Sequence, residues 1–287
     1  MNKIICIILA VLILSSSISI ADKSFNETEY WGVVVVALDQ SMEPYIYNAL
    51  LQKQNWKKEN IMLLWKNNAT SEKILNSIDW LINKSDEDDF VLFSVDAHGT
   101  YSNGEFGIWP FDGNENGILT VDELDNKFDK INSNGLCLIF DCCFAGNFVD
   151  LDKNILSLDN SKNYLFRKSI IEGFEDNNRV VIMGTLPNGL GCHWVDYDLN
   201  GNIIDEVSPT SVISEVIKIG NDLNNDGFTS AEEIYIYLKE NYRIYALKGF
   251  LSIIIQITMY LSYGFFVMPF PTVYDNYSGE LPIAYNY

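Results

Sequence analysis

The run Trp-Gly-Val-Val-Val-Val-Ala-Leu at 31–38 is apolar without a break and is bounded by polar residues. A strand of this kind shows no polar face to water, so it belongs inside a sheet that is covered on both sides. Similar short runs recur at 60–65, 89–95, 136–140 and 179–185. Between the first of them, Met42, Tyr45, Ile46, Ala49 and Leu50 fall at helical spacing within 42–54. A second helical stretch, 70–82, opens with Ser71 and Glu72. Buried strands separated by helices imply an α/β fold, a mainly parallel sheet with helices on both faces. Ligands of such sheets gather beyond the carboxyl ends of the strands.

Three stretches depart from the alternation. Residues 147–178 are polar and poorly periodic, the pattern of a surface loop or linker. Residues 250–270 carry no formal charge and are long enough to cross a bilayer. Ser252, Gln256, Thr258, Ser262 and Gly264 interrupt that run, and Ile253 to Ile255 with Val267 are β-branched, so burial within the fold is favoured over membrane tethering. The aromatic, turn-rich tail, 271–287, is expected to pack back on the domain.

The amino terminus reads as a secretory signal over 1–21, with Lys3, an apolar run from Ile4 to Leu14, and small residues up to Ala21. The alternative, an uncleaved anchor, lacks an apolar continuation after Ala21. Residues 22–287 then form one domain, with a core at about 30–190 and a carboxyl-terminal part at 191–287. A secreted or extracytoplasmic location follows from this reading. The charge balance is acidic, 39 Asp and Glu against 19 Lys and Arg, for a net charge of −20. That field repels phosphate backbones, so nucleic acid is excluded as a partner. Cys137, Cys142, Cys143 and Cys192 are too few to staple a chain of this length. Cys192 and His193 lack the Cys-x2-Cys companion of a zinc site.

Two strand ends carry chemistry. The fourth apolar run leads into Asp141-Cys142-Cys143-Phe144-Ala145-Gly146, and the third into Asp96-Ala97-His98-Gly99. An imidazole that can take a thiol proton and a thiol at a strand tip make a nucleophilic pair. Alternation along a strand puts Asp141 and Cys143 on one face, Cys142 on the other, and Asp96 with His98. Gly99 and Gly146 suit a place where backbone amides must approach a substrate carbonyl.

These residues resemble the caspase-like, or clan CD, cysteine peptidases, in particular the metacaspase and paracaspase branch. The resemblance rests on His98-Gly99 after one strand and on Asp141-Cys142-Cys143-Phe144-Ala145-Gly146 after another, and it covers roughly 30–190. It implies Cys143 as nucleophile, His98 as general acid and base, and the Gly99 and Cys143 amides as the oxyanion hole. It also implies that Asp96 and Asp141, with Asp39 as a third candidate, line a pocket for a basic side chain. Phe144 departs from the pattern, standing where metacaspases often carry His.

Two segments fit the twelve-position EF-hand calcium loop. The first offers Asp112, Asn114, Asn116, the Ile118 carbonyl and Glu123, with Gly117 at the turn. The second offers Asp222, Asn224, Asp226, the Phe228 carbonyl and Glu233, with Gly227 at the turn. Helical patterns flank the second loop at 211–219 and 231–242, whereas the first is entered from an extended segment. Four Asn-x-Ser/Thr sequons, at Asn26, Asn68, Asn83 and Asn276, are compatible with a secreted glycoprotein. The whole reads as a secreted, caspase-like endopeptidase acting on protein or peptide after Arg or Lys, with Ca²⁺ as stabiliser or activator. The alternative is a caspase-fold, calcium-binding extracellular interaction protein without turnover.

Overall fold

The structure, a computed structural model, describes residues 27–38, 42–102, 104–113, 117–149, 174, 178–187, 189–191, 194–197, 203–247 and 270–286. Its main sheet contains the five strands expected from the apolar runs: β1 (Tyr30–Val36), β2 (Ile61–Trp65), β3 (Phe90–Asp96), β7 (Gly135–Asp141) and β8 (Arg179–Met183). They run parallel in the order β8-β7-β3-β1-β2. A further strand from the tail, β12 (Thr272–Asp275), joins β8 antiparallel and closes that edge.

Side-chain alternation divides the core in two. Val33, Val35, Val91, Phe93, Val95, Leu138 and Phe140 face one side and meet Ile74, Ile78 and Leu81 of α2 (Ser71–Lys84), together with Leu124 and Phe128 of α3 (Val121–Phe128). The residues between them, among them Val34, Val36, Leu92, Cys137, Ile139, Val180 and Ile182, face the other side. There they meet α1 (Tyr45–Leu50), α4 (Pro209–Ile219) and α5 (Ala231–Leu247). Burial on both faces is therefore the reason these strands are apolar throughout.

Local signals fix the helix starts. The Thr70 and Thr120 side chains accept from amides of the first turns of α2 and α3, and Ser208 and Ser211 form a capping box at α4, where Pro209 holds the first helical position. Helix α1 is shorter than the 42–54 pattern, since Met42 is buried as part of the approach and residues 51–55 form turns.

Three small sheets lie outside the alternation read from the sequence. They pair β4 (His98–Ser102), β5 (Glu105–Trp109) and β6 (Leu119–Thr120); β9 (Trp194–Tyr197) with β10 (Ile203–Val207); and β11 (Phe228–Ser230) with β13 (Pro282–Tyr285). The tail thus packs back as two strands. The 147–178 stretch is not wholly a surface linker: Phe148, Val149 and Phe174 are buried, and Phe174 stacks on Phe140 at 4.9 Å. Isolated aromatics in a polar context carry no periodicity that would have shown this. Residues 250–269 lie outside the described residues, among which no helix is long and apolar enough to cross a membrane.

Candidate active site

Strand β7 ends at Asp141 and the chain turns sharply. Phe144 adopts a left-handed backbone at φ +63°, and a single 3₁₀ turn, Ala145–Asn147, follows. Phe144 N–H donates to the Gly189 carbonyl at 2.7 Å, which ties the turn to the segment after β8. Gly146 is obligatory here, because a Cβ would come within 2.3 Å of the Leu186–Pro187 peptide. Cys142 points into the α2/α3 side of the core and is 3% exposed, whereas Cys143 is half-buried.

The Cys143 sulfur sits among backbone donors. Gly191 N–H donates to Sγ at 3.2 Å. Burial pushes the thiol above its ordinary value, the Asp141 charge adds to that, and hydrogen bonding from the Gly191, Gly99 and Cys143 amides works the other way. Gly99 lies directly against the Cys143 backbone: a Cβ there would sit 1.8 Å from the Cys143 carbonyl oxygen. The Gly99 backbone is thus held beside Cys143, and Gly191, which the sequence did not single out, supplies the amide bonded to the sulfur.

His98 occupies a different place from the one alternation implied. Strand β3 ends at Asp96, the Ala97 amide donates to the Asp141 carbonyl at 3.2 Å, and the chain then enters a separate sheet. His98 is the exposed first residue of β4, opposite Trp109 of β5. The shared face of Asp96 and His98 does not hold across this change of sheet. The backbone on either side of it is held, with Ala97 bonded to Asp141 and Gly99 packed on Cys143.

Asp96 and Asp141 are adjacent in the β3–β7 register and are 2% and 1% exposed. Both face the α4 side of the sheet. Thr210, in the first turn of α4, reaches the two of them: its hydroxyl is 3.1 Å from Asp96 Oδ2 and 3.0 Å from Asp141 Oδ2, and its N–H donates to Asp141 Oδ2 at 3.0 Å. The positive end of the helix favours carboxylates in this position. A small cleft of about 10 Å³ lies beside Asp96, with Glu43, Tyr45, Ser94 and Thr210 among its other walls. Asp39 lies outside the described residues, as do Cys192 and His193. Glu43 and Thr210 were missed from the sequence. Ser208-Pro209 announces a helix start, but nothing in the chain connects it to acids 69 and 114 residues away.

The two calcium-type loops differ. In the second, Asp222 accepts from the Asp226 and Gly227 amides at 3.1 and 2.9 Å, Asn224 accepts from Asp226 N–H, and Asp226 accepts from Phe228 N–H. Glu233 accepts from the Leu223 and Ser230 amides, and Gly227 takes φ +96°. Helices α4 and α5 flank it. In the first loop, Asn114 and Asn116 lie outside the described residues, Ile118 is half-buried, Asp112 accepts from the Ser71 amide at 2.8 Å, and Glu123 closes a capping box with Thr120. Hard oxygen donors are the type that Ca²⁺ takes, and here the side-chain oxygens are bonded to backbone amides. Among the described residues, no three His, Cys, Asp or Glu side chains stand together as a metal-holding group.

No curated protein matches the sequence. Among solved structures, caspase-1 from Spodoptera frugiperda is 14% identical, with 89% of each chain covered and a TM-score of 0.49. The Drosophila initiator caspase Dronc is 12% identical, with 91% of this chain and 86% of that one covered and a TM-score of 0.49. A protein from Geobacter sulfurreducens is 13% identical, with 74% of this chain and 88% of that one covered and a TM-score of 0.44. Residues 40–152, which include both His98 and Cys143, match the family described as metacaspase, peptidase C14 domain, and that match supports a caspase-like cysteine peptidase acting on protein or peptide.

Proposed function

We propose that this chain is a secreted, caspase-like cysteine endopeptidase that cleaves after Arg or Lys and is stabilised by Ca²⁺. The observation that carries the specificity is the pair of buried carboxylates, Asp96 and Asp141, at adjacent strand tips directly before the His98 and Cys143 turns. Such a pair receives a cationic side chain and repels an acidic one. His98 takes the thiol proton, the Cys143 sulfur attacks the scissile carbonyl, and the Gly99 and Cys143 amides hold the developing oxyanion. His98 then gives the proton to the leaving amine. Water, deprotonated by the same imidazole, releases the acyl group from sulfur.

Ca²⁺ would be held by Asp222, Asn224, Asp226, the Phe228 carbonyl and Glu233, and at the first loop by Asp112, Asn114, Asn116, the Ile118 carbonyl and Glu123. The bound ion supplies charge neutralisation for these acids and so stabilises the loops that carry them.

A second reading, a calcium-binding interaction protein without turnover, is favoured by one feature: burial pushes the Cys143 thiol up, away from the thiolate form. Hydrolysis of a fluorogenic peptide library with and without Ca²⁺ separates the two. The peptidase turns over Arg and Lys peptides at least about tenfold faster than Asp peptides, a difference of roughly 1.4 kcal/mol, and Cys143→Ala abolishes the reaction. A preference for Asp removes the assigned roles of Asp96 and Asp141. Turnover unaffected by Cys143→Ala removes the nucleophile.

A further inference from the structure

Thr210 sits at a junction that the reaction chemistry does not require. It is 4% exposed, and its hydroxyl lies within 3.1 Å of one oxygen of each carboxylate and 3.0 Å from Ser208 Oγ. One hydroxyl proton can serve only one carboxylate at a time. Its backbone N–H, donating to Asp141 Oδ2, holds that acid whichever way the hydroxyl turns. Thr210 is itself held firmly, since the β-branch limits its rotation and the Ser208 cap with Pro209 fixes the helix start beneath it. Asp96 and Thr210 border the same cleft. Gly184 leaves room on the other side, where a Cβ would come within 3.3 Å of Asp141 Oδ1 and 3.0 Å of the Pro209 ring.

We propose that Thr210 is a positioning residue for substrate recognition, its hydroxyl and amide fixing the Asp96 and Asp141 carboxylates in the orientation that receives a guanidinium or ammonium group. This rests on the reading of the cleft as a basic-residue pocket. The hydroxyl holds the acids in register before substrate arrives, and the multiple N–H donors of the substrate then take over its bonds. Orientation of two charges before binding lowers KM, because less ordering is left for the substrate to impose.

The test compares Thr210→Val and Thr210→Ser with the parent on peptides carrying Arg or a neutral residue before the cut. Val keeps the shape and removes the hydroxyl. It should raise KM for the Arg peptide about tenfold, with kcat within about twofold, and leave kcat/KM for the neutral peptide in place, so that selectivity for Arg shrinks. Ser should restore KM to within about threefold. Should Val fail to fold, Thr210→Ala removes the same hydroxyl. Protection of Cys143 from alkylation by agmatine, a free guanidinium probe, reads the same pocket without turnover and should weaken in parallel. An unchanged KM in a folded Val variant, an equal loss on the neutral peptide, or a Ser variant as impaired as Val overturns the proposal while the parent still prefers Arg. A parent indifferent to Arg overturns the basic-pocket reading and this proposal with it.

Discussion

At the scale of single residues, the three described thiols separate by environment. Cys137 and Cys142 are fully buried, and burial is the main cause pushing both thiols far up, whereas Cys143 is half-buried with amides directed at its sulfur. Iodoacetamide should therefore label Cys143 at least about tenfold faster than either of the other two in the native protein, read by peptide mapping. Because the thiol is raised, labelling should still be climbing with pH above the range where an ordinary thiol has levelled off. Labelling of Cys142 first would show that Cys142, not Cys143, is the reactive thiol of the turn. The burial of Cys142 was legible in the sequence because β7 stays regular up to Asp141. The position of His98 was not, since a change of sheet at Ala97 leaves no mark in hydrophobic pattern.

At the scale of elements, buried charge shows which contacts hold helices to the sheet. Arg179 opens β8 at 4% exposure and reaches across to α3, pairing with Asp125 at 3.2 Å and Asp129 at 3.0 Å. Arg179→Ala removes the buried cation from both pairs and should cost about 3–5 kcal/mol in a denaturant titration, while Arg179→Met, which fills the space, should cost less. Equal losses would show that packing, not charge, sets the cost. Glu232, at the start of α5, clamps the tail by accepting from the Leu281 amide. Burial raises its carboxyl to about 7, from 4.5. The folded state then binds more protons than the unfolded chain between those values, so this group's contribution is fully present below 4.5 and is lost as pH rises through 7. Glu232→Gln should match the parent in Tm near pH 4.5 and exceed it by a few degrees at pH 8. A gap that closes with rising pH would contradict the assignment. Neither cluster was visible in the sequence, because Arg179 and its partners lie 50 residues or more apart and Glu232 meets the tail only in the folded chain.

At the scale of the whole molecule, the five parallel strands were readable because each had to be apolar on two faces. The small antiparallel sheets were not, because strands of two to five residues at an edge need no such pattern. Loop 112–123 shows the same limit: its ligand types are right, yet Asp112 spends its carboxylate on the start of α2, a use that spacing alone does not reveal. Charge is the one global property the sequence states outright. A net charge of −20 gathers cations around the surface, and the cleft beside Asp96 and Glu43 opens into that field. Cationic peptides should accordingly be steered toward the site, an effect that salt screens over about 10 Å at 0.1 M. Raising monovalent salt from about 20 to 300 mM should lower kcat/KM several-fold for a peptide bearing two or more basic residues, through KM, with kcat held. A neutral peptide is the control, since it feels no net attraction but depends on the same fold. If both substrates lose rate equally, salt is acting on the folded structure or on its acidic loops. If only the cationic peptide slows, the surplus acid of this chain serves to draw cationic substrates to the cleft.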